Sequence, residues 1–184
     1  MLTPLAAAAP ALIPAVFGPR WAPAAWAVPT ACLGLLLAAP FSVAASGYLY
    51  AEGDANAVLK AMFYSAVGWY AVMLPLLPIV GVAAIGLGQL AAGIIEVVLF
   101  DRFLRRYLGH LRPTAAVALP IAVMTVSGGA GWAVAFWGPH SLLTALDSAA
   151  LAAALALLGS WITRRRELVD LVSVTRRSVG AAIA

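Results

Sequence analysis

The sequence predicts an all-α polytopic integral membrane bundle with five transmembrane helices. Three observations predict it. The chain of 184 residues is 64% hydrophobic and only 10% charged, against about 25% charged in soluble domains. Several of its apolar runs reach the ~20 residues that a helix needs to cross the hydrocarbon. Its arginines gather beside those runs, not within them. A soluble protein of this size cannot hide so much apolar surface, so lipid is the expected solvent. Hydrocarbon offers the backbone no water, which leaves helices or a closed barrel. Long runs without period-two alternation choose helices.

Residues 1–20 form a proline-rich apolar segment, with Pro4, Pro10, Pro14 and Pro19. Each proline removes a backbone donor and disfavours an uninterrupted helix. The segment is expected to lie bent on the outer surface or to dip partly into the membrane. No Lys or Arg precedes the apolar part, so a signal peptide has little support.

Residues 21–162 form the predicted bundle. The first span runs from Trp21 to Tyr50, with Trp21, Trp26, Tyr48 and Tyr50 as interfacial aromatics. Pro29 and Pro40 are expected to kink it. Glu52, Gly53 and Asp54 make a short polar loop. From Ala57 to Phe100 the chain is almost unbroken apolar sequence. As one helix that run would measure roughly 65 Å at ~1.5 Å per residue, against about 30 Å of hydrocarbon. It should fold back once, with the turn at Pro75-Leu76-Leu77-Pro78 and Gly81 just behind. Asp101 to Arg112 is a basic loop. Thr114 to Trp137 is the fourth span, Gly138-Pro139-His140-Ser141 the next turn, and Leu142 to Ile162 the fifth span. Residues 163–184 read as a basic amphipathic tail on the membrane face or against a partner.

Five spans put the N-terminus outside and the C-terminus in the cytoplasm. Every basic residue except Arg20 then lies on the cytoplasmic side, as the positive-inside rule asks. Four spans, or six if residues 1–20 also cross, are the competing counts. Charge does not separate four from five, but hydrophobic length favours five. Arg102, Arg105, Arg106, Arg164, Arg165 and Arg166 are the expected ligands of anionic lipid headgroups. This explains the net charge of +4 without nucleic acid. Only one basic residue, Lys60, is a lysine, and alanine is abundant. That composition points by association to a GC-rich bacterium and its cytoplasmic (inner) membrane.

Few residues could carry chemistry within the spans. Gly86, Gln89, Gly93 and Glu96 share one helix face. Small residues there permit close backbone approach, so the face reads first as a packing seam, with Glu96 neutralised by Arg102 or Arg105. The functional reading is a polar pathway lined by Gln89 and Glu96. Asp147 lies inside the fifth span, where it either helps the helix start or faces a polar interior. Ser127 belongs to a glycine-rich stretch, Thr125 to Gly131, that suits tight helix crossing or a local break facing a cavity. Tyr64 and Trp69 read as packing aromatics, or as walls of a ligand pocket.

Other chemistries find no support. The single cysteine, Cys32, excludes an internal disulfide. His110 and His140 are expected on opposite faces, which argues against a transmembrane haem and a His-based zinc site. No cofactor or metal is therefore expected, and no nucleophilic arrangement stands out. Three classes remain. The sequence slightly favours a transport protein or the membrane subunit of a transport system, because two ionisable groups within spans need an explanation. A non-catalytic subunit of a larger membrane complex, or a homo-oligomer, is nearly level with it. A lipid-modifying enzyme built on Asp101 and the arginines has the thinnest basis, so the chain reads as a non-enzyme.

Overall fold

The computed structural model describes the backbone of residues 2–108, 113–139 and 141–183, and the side chains of 2–108, 118–139 and 141–162. His110, Arg112 and His140 lie outside the described residues, as do the side chains of Arg164, Arg165 and Arg166. The described residues form six α-helices: α1 (Leu2–Phe17), α2 (Ala24–Ala51), α3 (Ala55–Val80), α4 (Ala83–Leu108), α5 (Pro113–Trp137) and α6 (Leu142–Ile183). Five segments are long and apolar enough to cross a membrane: Ala24–Ala51, Ala55–Val80, Ala83–Leu108, Ala118–Trp137 and Leu142–Ile162. The protein is an all-helical, multi-pass membrane bundle.

The helices sort into two lobes. In one, α4 packs between α2 and α3. In the other, α1, α5 and α6 pack on one another. The lobes are joined chiefly where α1 lies along α2. One end of the bundle carries the polar loop at Glu52–Asp54 and the arginines of α4, and is the basic end below. The other end carries the turns at Gly81–Val82 and Gly138–Ser141.

Helix α1 departs from the sequence expectation. It is a continuous helix inside the bundle, not a bent surface segment. Pro4 sits in the first turn, where a missing N–H costs nothing. Pro10 and Pro14 lie inside the helix and forfeit bonds. The compensation is packing. Ala7, Ala8, Ala9 and Ala11 are all at most 5% exposed. Ala8 and Ala11 meet Ala135 of α5 and Ala145 of α6. Side chains this small let three helices approach closely, which is the main attraction available in lipid. Gly18, at φ 90°, then reverses the chain toward α2.

Helices α2 and α4 run side by side in the same direction and touch through backbone. A Cβ on Gly34 would stand 2.5 Å from the Gln89 carbonyl oxygen, and one on Gly86 would collide with Thr30 and the Ala27 carbonyl. Toward the basic end the gap widens and larger side chains fill it. Phe41 and Leu49 of α2, Val58 of α3, and Phe100 and Leu104 of α4 form that core. Pro29 and Pro40 lie within α2 without ending it.

The α3–α4 turn lies further along the chain than the prolines suggest. Pro75 and Pro78 stand inside the last turns of α3, and Gly81, at φ 60°, makes the turn. That backbone geometry is one only glycine adopts freely, whereas a proline is tolerated in a membrane helix whose neighbours satisfy the freed carbonyls. At the other end of α3, Asp54 caps the helix by accepting the Ala57 N–H at 3.1 Å. The Tyr107 hydroxyl donates to its second oxygen at 2.9 Å, tying the end of α4 to the start of α3. Helix α6 starts on Ser141, whose Oγ accepts the Thr144 N–H at 3.2 Å. Its backbone runs on as helix to Ile183, so the tail continues the fifth span.

Candidate functional site

The polar residues singled out in the sequence do not meet in one place. Gln89 lies on the α2–α4 seam, where its backbone is against Gly34. Gly93, one turn further, meets the Gly34 carbonyl. The shared face of Gly86, Gln89 and Gly93 is therefore a line of backbone contact. Glu96 continues the same register. It is half-buried and has no ion pair or hydrogen bond among the described residues. Arg105 pairs instead with Asp101 at 2.6 Å, one turn earlier on α4. Arg106 lies over the Phe103 ring at 5.3 Å, and Arg102 is exposed. The three arginines form an exposed cationic rim on the basic end.

Helix α3 uses its few polar groups against α4. The Ser65 hydroxyl donates to the Ala92 carbonyl at 3.2 Å, and the Trp69 indole N–H to the Ile85 carbonyl at 3.3 Å. Trp69 also covers Gly88, where a Cβ would come within 2.6 Å of its ring. Tyr64 points the other way and is 53% exposed. Ser127 is buried on the α5 face that meets α6 and bonds back to the Val123 carbonyl at 2.7 Å. Asp147 is exposed on the outside of α6, in its second turn. Ser141, not Asp147, caps that helix. Among the described residues no group of His, Cys, Asp and Glu could hold a metal ion.

What the fold does build is a cavity between the lobes. It measures about 170 Å³ and is bounded by α1, α2 and α5. Leu33, Leu36 and Met124 supply most of its apolar wall, with Pro29, Gly128 and Gly129 where the backbones come near. Gly129 is exposed at its rim, with nothing within 4 Å of its missing Cβ. Trp132 closes one side. It stacks on Phe136 with centroids 5.0 Å apart, and Trp26 tilts against both at 5.4 and 5.6 Å. Thr3 and Cys32 are the buried polar groups on the wall. Thr125 also lines it, but its hydroxyl is engaged with the Ile121 carbonyl at 2.8 Å.

Sequence reasoning reaches Thr125 to Gly131 as a cavity-or-crossing stretch, and the structure uses it for both. Gly131 is a crossing point against α6, Gly129 a cavity wall. Thr3, Cys32 and Trp132 carry no sequence signal of their own as a site. The run Ala6–Ala9 could have marked α1 as a helix-facing element, because small side chains in a membrane helix favour protein contact over lipid. Compared with protein-family models, curated proteins and solved structures, the chain matches none. The class of protein is thus set by the fold alone: a small multi-pass helical membrane bundle.

Proposed function

We propose that this protein is a non-catalytic subunit that assembles with other membrane chains in a bacterial cytoplasmic membrane. The observation that carries this reading is the position of Asp147. It lies in a span, faces outward from the bundle, and has no partner among the described residues. An ionisable group in a span usually faces a bundle interior or a polar cavity, because exposure to hydrocarbon is costly. A neighbouring chain seated on α6 would supply that interior. Among the described residues, Gln89, Ser65 and Trp69 face neighbouring helices and Asp147 faces outward, an arrangement that suits assembly. Purification in a gentle detergent followed by intact mass measurement tests this. The expected result is a particle heavier than one chain plus its micelle, split by Asp147→Lys. A wild-type monomer would end the subunit reading.

A transport role is kept as the second reading for one reason. The lobes meet mainly through α1, and a cavity lies between them. Lobes joined in this way can rock about a site between them.

The orientation follows from charge. The arginine rim and the C-terminal tail belong on the cytoplasmic side, against anionic headgroups. In a Cys32→Ala background, Pro139→Cys should react with an impermeant maleimide in right-side-out vesicles. Asn56→Cys should react only in inverted ones. The opposite pattern would reverse the assignment.

A further inference from the structure

The cavity between the lobes has the properties of a binding site, and it is independent of the assembly reading. An apolar cavity of ~150 Å³ in a protein core stays dry and accepts a benzene-sized ring. This one has a comparable volume, about 170 Å³, but it is a pocket open on the side where Thr125 and Gly129 are exposed. It lies well inside two spans, between Pro29–Leu36 of α2 and Met124–Trp132 of α5. Mid-span residues lie at hydrocarbon depth, which makes the lipid side the expected route of entry.

Its polarity is one-sided. Thr3 is 8% exposed and lines the cavity, and its hydroxyl has no hydrogen-bond partner among the described residues. No fully buried polar atom among the described residues lacks a partner, so this hydroxyl is open to the cavity and can donate to whatever occupies it. The Cys32 thiol on the same wall is a weak donor and has no partner there either. No charged residue lines the space among the described residues. The wall thus offers a flat indole, aliphatic surface, and two unpaired donors, of which the Thr3 hydroxyl is the stronger.

We propose that the cavity binds a small, flat, apolar molecule bearing a carbonyl, taken up from the membrane, whose oxygen accepts from Thr3. Ketone- and quinone-type rings are the chemical class. The ester carbonyl of a phospholipid has the same chemistry, but it is anchored at the headgroup level and does not reach a cavity within the spans.

Cys32 makes the proposal measurable, because the chain's one thiol reports on the site. The experiment follows alkylation of Cys32 by N-ethylmaleimide in detergent, with acetophenone or ethylbenzene at equal micellar concentration. Acetophenone should slow the reaction as its concentration rises. Ethylbenzene lacks the oxygen and should bind about fivefold more weakly, the value of one modest hydrogen bond. Thr3→Val, which keeps shape and removes the hydroxyl, should abolish that difference. Protection by added phospholipid equal to that by acetophenone would overturn the choice of a small carbonyl compound. Equal protection by acetophenone and ethylbenzene would overturn the acceptor assignment. No protection by either, with Cys32 still reactive, would overturn the site.

Discussion

Gly34→Ala is expected to destabilise the protein by about 3 kcal/mol, at the upper end of ordinary overpacking. The added methyl carbon would stand 2.5 Å from the Gln89 carbonyl oxygen and 2.8 Å from the Leu90 Cα. Both are backbone atoms, so no side chain can swing aside. Relief requires α2 and α4 to separate along the whole seam. That would also loosen the contact at Gly93, which packs on the Gly34 carbonyl. In lipid this loss is not offset by a hydrophobic gain elsewhere, because the separated faces meet tails as apolar as themselves. Gly47 is the matched control on the same helix. Nothing lies within 4 Å of its missing Cβ, so Gly47→Ala should be neutral or stabilising by about 0.5–1 kcal/mol through helix propensity. Unfolding midpoints in mixed SDS micelles would measure both. If the two variants unfold together, the direct backbone contact of α2 with α4 is wrong.

How far the sequence goes depends on what each signal measures. Hydropathy and aromatic flanks report the thickness of hydrocarbon, and they place the spans well. The fourth span ends at Trp137 and the fifth begins at Leu142, as read. Helical period reports a shared face, so Gly86, Gln89 and Gly93 are recognisable as a seam before their partner is known. Neither signal reports which side of an apolar helix faces protein. Alanine is equally at home against lipid and against another helix, so a bent surface placement of α1 could not be told from a packed one. Proline is read as a breaker because in water it exposes a carbonyl. In α1, α2 and the end of α3 it stands inside a continuous helix, and the turn waits for Gly81. The cavity is the least legible feature. Its walls are Thr3, Cys32 and Met124, which no local pattern links, and its volume depends on how three helices lean together.

Gly131→Leu is the complementary experiment, and its effect should be confined to the other lobe. Gly131 is where α1, α5 and α6 converge. A Cβ there would lie 2.6 Å from the Ser148 carbonyl oxygen, 2.8 Å from the Ala7 Cβ and 2.9 Å from the Ala152 Cβ. Ala7, Ser148 and Ala152 are each 0% exposed, so there is no space into which a larger side chain could turn. The cost should again reach about 3 kcal/mol or more. Helix α1 is the element expected to yield. It is the shortest of the helices, has lost two backbone bonds to Pro10 and Pro14, and is tied to the chain through the short turn at Gly18. Once it lifts, the cavity loses its Thr3 wall and Cys32 should alkylate several-fold faster. Amides of residues 7–11 should exchange faster as well. Those of 57–61 and 100–104 belong to the core at the basic end and should keep their protection. Gly34→Ala should show the reverse, with loss of protection in α2 and α4 and retention in α5 and α6. Two separable patterns would mean that the lobes are distinct cooperative units, free to shift about α1 when the cavity is filled. A single uniform loss in both variants would mean that the bundle opens as one body, and a site between its lobes could not move them.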